Sequence, residues 1–157
     1  MRLHGNSEPV LPKLGEGGGS DCRSGSDNEP WSFGDDNYPI LVKYMKLRER
    51  MKDYIAGLIS DAANAGTPLL RTMFLEFPDD QVCWSIEDQY MFGPKYLVAP
   101  IMEAGMKHRK VYLPKNSRWR LLKIADGGEE ELAEEYEGGQ TVELPCVIDQ
   151  IPLFVMA

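Results

Sequence analysis

Residues 66–100 read GTPLLRTMFLEFPDDQVCWSIEDQYMFGPKYLVAP. Gly66 and Pro68 stop whatever helix precedes them, and from there the texture is one of short β-prone runs between turn residues. Leu69–Phe74, Gln89–Phe92 and Tyr96–Pro100 are rich in Leu, Tyr, Phe and Val, and Gly93-Pro94 separates the last two. The pattern continues through Lys110–Leu113, Arg118–Ile124, Thr141–Leu144 and Ile151–Val155, broken by Leu113-Pro114 and Gly138-Gly139. Runs this short, at this spacing, predict a β-sandwich or an antiparallel sheet. No repeat occurs at the periods that mark solenoids or propellers.

Upstream of Gly66 the pattern changes. From Asp35 to Ala65, the residues Ile40, Leu41, Tyr44, Met45, Leu47, Met51, Tyr54, Ile55, Leu58, Ile59 and Ala62 recur at three- and four-residue steps. This spacing predicts one long amphipathic helix, with Asp35 and Asp36 in its first turn and Pro39 tolerated only because it lies so early. Lys43, Lys46, Arg48, Arg50 and Lys52 are expected mainly on its solvent side. Further upstream, Leu3 to Glu29 is rich in Gly, Ser and Pro and too poor in apolar residues to bury itself, so it is expected to be a long loop over something larger. A helix and a loop do not make a domain. The helix needs a partner layer that the sequence does not supply before residue 68, and the last run ends two residues from the C-terminus, so both ends look cut.

At 157 residues and 43% apolar content the chain is of single-domain size, with a net charge of −8. Nearly all of that charge is local. Asp126–Glu137 (DGGEEELAEEYE) holds seven carboxylates and no Lys or Arg, which reads as a solvated loop or short exposed helix and lacks the alternation of an EF-hand. A pI near 4.8 without a basic stripe argues against nucleic acid. No run approaches the roughly 18 apolar residues of a membrane span, and Met1–Gly5 has no signal-peptide core. Cys22, Cys83 and Cys146 form no metal-ligand spacing or disulfide framework, so no metal and no cofactor is expected. A reducing, cytoplasmic setting fits them.

Few residues offer chemistry. His4, followed by glycine, suits a side chain presented where a strand meets a loop, though alone it reads more often as a surface histidine than as a ligand. His108, between Lys107 and Arg109, reads as an exposed turn residue. Asp27 with Glu29, and Glu87 with Asp88, are carboxylate pairs of the kind glycosidase chemistry needs, but neighbouring carboxylates on a loop are ordinarily surface or capping groups. Gly17-Gly18-Gly19 lacks the Lys-Ser/Thr of a phosphate cradle, and no GxSxG, HExxH or Rossmann pattern is present. Trp31, Phe33, Trp84, Tyr90, Phe92 and Trp119 could stack on sugar rings; packing between helix and sheet is the commoner use.

The order of several motifs carries a resemblance. Arg2-Leu3-His4-Gly5, Asn28-Glu29-Pro30-Trp31-Ser32-Phe33-Gly34, Lys46–Met51, Gly66–Arg71, Glu87–Gly93, Leu97-Val98-Ala99-Pro100, Val111-Tyr112-Leu113-Pro114, Tyr136–Gln140 and Ile151–Val155 together resemble the C-terminal part of glycoside hydrolase family 31, nearest its α-xylosidase and α-glucosidase branch. The resemblance implies an α/β plus all-β chain. Residues 1–78 would be the C-terminal portion of a (β/α)₈ barrel, ending in its last outer helix, and residues 79–157 a β-sandwich lacking its last strands. It further implies a retaining, exo-acting α-glycosidase that cleaves terminal α-linked xylose or glucose, with both catalytic aspartates upstream of the matched region. His4 alone carries over, as the histidine that hydrogen-bonds hydroxyls of the bound sugar. Asn6-Ser7-Glu8 stands where relatives often have Asp-Arg, and the acidic run replaces a Trp-rich turn. The alternative is a non-catalytic carbohydrate-binding or structural sandwich module. An orphaned barrel helix would also promote self-association.

Overall fold

The structure, a computed structural model, describes residues 30–157. The glycine-rich stretch expected to be a loop, with His4, Asp27, Glu29 and Cys22, lies outside the described residues. A 3₁₀ turn (Pro30–Phe33) leads to helix α1 (Tyr38–Arg50), with Pro39 in its first turn and Arg48 and Arg50 in its last, where cations suit the helix dipole. Helix α2 (Lys52–Ala65) follows and ends on Gly66 at φ +70°, whose N–H returns to the Ala62 carbonyl.

The single helix expected over 35–65 is thus two. Met51 sits between them at φ −83°, ψ 1°, while the hydrogen-bond ladder runs on through Met51 N–H to Leu47 O and Ile55 N–H to Met51 O. Asp35 and Asp36 precede the first turn instead of lying in it. Lys43 also departs from expectation: it is 2% exposed, and its Nζ lies 3.3 Å from Asp149 Oδ2.

The strands are β1 (Leu70–Thr72), β2 (Tyr90–Phe92), β3 (Tyr96–Val98), β4 (His108–Leu113), β5 (Arg118–Ile124), β6 (Glu130–Glu137), β7 (Gln140–Pro145) and β8 (Leu153–Met156). Six make one sheet in the order β1-β2-β3-β8-β5-β6, and β4 and β7 make a separate two-stranded ribbon. All pairings among the described residues are antiparallel. The expected run 69–74 is only half strand, because Met73–Glu76 turns into a short helix, α3, that places Met73 in the core.

Alternation along the strands assigns the two faces of the large sheet. Met91, Leu97, Trp119, Leu121 and Phe154 point one way and share a core with Val111, Leu113, Val142 and Leu144 of the ribbon. Tyr96, Leu122, Ile124 and Val155 point the other way, where Tyr44, Leu47, Met51 and Tyr54 of the helices cover them. The helix therefore has its partner layer, supplied by sequence beyond residue 68, and its buried face is not orphaned. Two glycines fix this contact. A Cβ at Gly128 (φ +81°), in the β5–β6 turn, would lie 2.6 Å from the Leu47 backbone nitrogen, and one at Gly93 (φ +59°), in the β2–β3 turn, 2.2 Å from Tyr54 Oη and 2.7 Å from Leu58 Cδ2.

The acidic run is neither loop nor helix over most of its length: Glu130–Glu137 is the edge strand β6. Its charges are spread over specific partners. Arg118 and Arg120 on β5 face Glu137 and Glu135 at 3.2 and 2.8 Å, Arg50 of α1 reaches Glu129, and Tyr96 Oη donates to Glu130. The arginine pairs are solvent-exposed and each stabilises by well under about 1 kcal/mol. A densely charged edge also resists pairing with other chains. Among the described residues there is no strand–helix repeat of a (β/α)₈ barrel; these residues form a small antiparallel-sheet domain with helices on one face.

Candidate functional site

Clefts flank the sheet. One, about 650 Å³, lies between the loop 99–107 and the loop 145–152, and is lined by Tyr90, Pro100, Met102, Met106, Cys146 and Ile148 among others. Its walls are anchored from several directions. Arg109, 5% exposed, donates through Nε to the Pro100 carbonyl at 3.0 Å and through Nη1 to Asp88 Oδ2 at 2.6 Å, and it also bonds the Asp88 carbonyl. On the opposite wall the Tyr44 hydroxyl donates to the Asp149 carbonyl and accepts the Ile151 N–H, while Gln150 bonds both backbone groups of Ile124. Met102 and Ile148 remain largely exposed at the rim. This is an apolar cleft with fixed walls and no nucleophile paired to a base.

A smaller cleft, about 370 Å³, lies between α1 and the β5–β6 turn and is lined by Leu47, Arg50, Met51, Tyr54, Tyr96, Gly128, Glu129 and Glu130. Burial, with the Glu130 carboxylate beside it, pushes the Tyr96 hydroxyl well above the usual phenol range. That hydroxyl is a fixed donor, not a proton relay at neutral pH.

The expected pairs and rings separate on inspection. Asp88 is held by Arg109, so Glu87 and Asp88 are not an acid and base working together. His108 begins β4 and is exposed; it is a strand residue, not a turn residue. Trp119 is fully buried with Nε1 donating to the Pro114 carbonyl, whereas Trp84 is exposed, stacked on Phe74 at 5.2 Å and tied through Nε1 to the Pro78 carbonyl. Trp31 and Phe33 are exposed, and Tyr90 and Phe92 half-buried. Burial drives the Cys83 thiol up to about 11, so it is inert at neutral pH. No group of three or more His, Cys, Asp or Glu among the described residues could hold a metal ion. No helix among them is long and apolar enough to cross a membrane.

Three organising residues escaped the sequence reading. Arg109 was grouped with its exposed neighbours, although period-two alternation places Arg109, Val111 and Leu113 on one face of β4. Gln89 bonds both backbone groups of Tyr112, accepting its N–H at 3.0 Å and donating to its carbonyl at 2.7 Å. Asp80, 5% exposed, caps the 3₁₀ helix Gln81–Ser85 through the Val82 N–H and accepts from the Tyr112 hydroxyl and the Lys115 N–H. Burial pushes its carboxyl up, but these donors outweigh it and the pKa falls below the ordinary value. Only the Asp-Asp-Gln sequence before a helical turn hinted at the cap.

Comparison with known proteins places this architecture. Residues 66–157 match the family model described as the glycosyl hydrolase family 31 C-terminal domain. The chain is 32% identical over 127 residues to the alpha-xylosidase of Saccharolobus solfataricus, covering 81% of this chain and 16% of the relative. It is also 32% identical over 127 residues to alpha-glucosidase 2 of Bacillus thermoamyloliquefaciens, covering 81% and 15%. Among solved structures, a GH31 alpha-xylosidase from a soil metagenome, complexed with xylose, superposes with a TM-score of 0.74 at 40% identity, covering 85% of this chain and 18% of that one. The chain thus spans less than a fifth of the length of these relatives. On the match across residues 66–157 and these identities, the chain belongs to glycoside hydrolase family 31.

Proposed function

We propose that the chain is a C-terminal piece of a retaining α-glycosidase that removes terminal α-linked xylose or glucose, and that it does not perform this reaction by itself. Helices α1 and α2 are then the last outer helical element of a catalytic (β/α)₈ barrel, and the residues after Gly66 its companion sandwich. Drawing the division at Gly66 instead of between residues 78 and 79 is favoured by the start of the family match and by the pairing of β1 with β2. His4 keeps the role the resemblance gives it, its imidazole donating to and accepting from hydroxyls of the sugar.

One observation carries the reading: the chain matches relatives named as alpha-xylosidase and alpha-glucosidase over less than a fifth of their length. Retaining hydrolysis needs two carboxyl groups roughly 5–5.5 Å apart on either side of the glycosidic bond. Incubation of the purified chain with aryl α-xyloside and aryl α-glucoside should release no phenol above buffer. Hydrolysis with retention of the anomeric configuration, lost on heat denaturation, would overturn the proposal.

A further inference from the structure

The turn between β5 and β6 holds the one Asp-Gly pair of the sequence, Asp126-Gly127, and no Asn is followed by glycine anywhere in the chain. The turn is tight. The Gly128 N–H donates to the Ala125 carbonyl at 2.8 Å and the Ala125 N–H to the Glu129 carbonyl at 2.9 Å, while Gly128, at φ +81°, supplies the left-handed residue that closes the hairpin loop 126–128. Asp126, at the first corner, is exposed. Among the described residues its carboxylate makes no hydrogen bond or ion pair, and the Gly127 N–H makes no hydrogen bond. The two groups are therefore free to react with each other, and glycine puts no Cβ beside the attacking nitrogen. The same turn is docked on α1: Gly128 lies against the Leu47 backbone, Arg50 Nε lies 3.4 Å from the Gly127 carbonyl, and the Arg50 guanidinium pairs with Glu129.

We propose that Asp126-Gly127 is a self-modification site, at which the aspartate isomerises to isoaspartate and loosens the turn from α1. The Gly127 nitrogen attacks Cγ of the protonated Asp126 carboxyl. The N–Cγ bond forms, the nitrogen gives up its proton to solvent, and the carboxyl's hydroxyl takes up a proton and leaves as water, closing a succinimide ring. Water then adds to the carbonyl carbon that belonged to the main chain of Asp126, and the bond from that carbon to the Gly127 nitrogen breaks, the nitrogen keeping the electron pair and regaining a proton. The main chain now runs through Cβ and Cγ, and the former main-chain carbonyl is a free carboxylate. One water is lost and one gained, so the mass is unchanged and nothing is oxidised. Both reacting atoms lie in one dipeptide, so no partner beyond water is required. The extra carbon between residues 126 and 127 cannot be fitted under the Gly128-to-Ala125 hydrogen bond, and it shifts Gly128 from Leu47 and the Gly127 carbonyl from Arg50. Ile124, one residue before the loop, is buried against Tyr44 and Leu47, so the change falls on the joint between helix and sheet.

The purified full chain, aged for weeks at neutral pH and body temperature, tests this. Isoaspartate is counted by methyl transfer from S-adenosylmethionine with an isoaspartyl methyltransferase, and located by peptide mapping, where the peptide containing residue 126 should split into two peaks of equal mass. Two variants accompany the parent. Asp126→Glu keeps the charge but would have to close a larger ring, and it should lose the signal. Gly127→Ala, whose Cβ would first meet the movable Glu129 carboxylate, puts a methyl group beside the nitrogen and should lower the signal severalfold. Both should keep the parent's circular dichroism spectrum. The separated isoaspartyl form should melt at a lower temperature than the unaged parent. An aged parent whose residue-126 peptide stays a single peak, an equal split in Asp126→Glu, methyl acceptance located only at other residues, or an isoaspartyl form that melts like the parent overturns the proposal.

Discussion

Consider replacing Asp80 with alanine. Its carboxylate sits on a nearly inaccessible residue and accepts from the Tyr112 hydroxyl at 2.8 Å, the Lys115 N–H at 3.0 Å and the Val82 N–H at 3.3 Å. Truncation strips three donors of one acceptor. At about 1 kcal/mol for each lost bond, the variant should be destabilised by about 3 kcal/mol. For a chain of this size that corresponds to a fall of about 10 °C in Tm. The same site sets a pH dependence. Because the folded-state pKa of Asp80 is lowered, its contribution is complete above the unfolded value, about 3.9, and is lost as pH falls through the folded value. Asp80→Asn has no such group, so the gap in Tm between the parent and Asp80→Asn should be widest near neutrality and shrink below about pH 4. Thermal melts by circular dichroism at pH 7 and pH 3 measure both. A loss of less than about 3 °C for Asp80→Ala at pH 7, or a gap to Asp80→Asn that does not change with pH, would refute this account of the site.

Two other perturbations address the joint between helices and sheet. Gly93→Ala places a methyl group against Tyr54 and Leu58 at a positive φ, and should cost about 2–3 kcal/mol in chemical denaturation; a neutral result would mean that α2 does not press on the β2–β3 turn. Asp149→Ala leaves the buried Lys43 ammonium without its carboxylate and should be more destabilising than Lys43→Met, which removes the charge and stays within about 1 kcal/mol of the parent; the reverse order, by the same measurement, would count against the pairing.

The strands were legible where composition and pattern agreed. Arg118–Ile124 appears at the same bounds in sequence and structure, because alternating Trp119, Leu121 and large apolar residues are bounded by turn signals. Helix termination at Gly66 was legible for the same reason. The acidic run was not, because the pairing of Glu137 with Arg118 and of Glu135 with Arg120 follows from the β5–β6 register, which the sequence does not state. Lys43 was misplaced because helical periodicity gives a face but not the Asp149 that makes a buried ammonium tolerable. Asp88 reads in sequence as an ordinary surface or capping carboxylate, and nothing there points to Arg109, twenty-one residues on, which holds it. Composition offered no route to these long-range pairings, whereas the ordered motifs led to the family directly.

The family match begins at residue 66, yet Tyr44, Leu47, Met51 and Tyr54 lie before it and cover Tyr96, Leu122, Ile124 and Val155 on one face of the sheet. The boundary recognised by sequence is therefore not a boundary of cooperativity. A chain begun at Gly66 would lay bare Tyr96, Leu122, Ile124 and Val155 to water, whereas the amides of α1 should exchange with solvent about as slowly as those of β5, because neither element can open without uncovering the other. The family boundary falls between helix and strand; folding joins them.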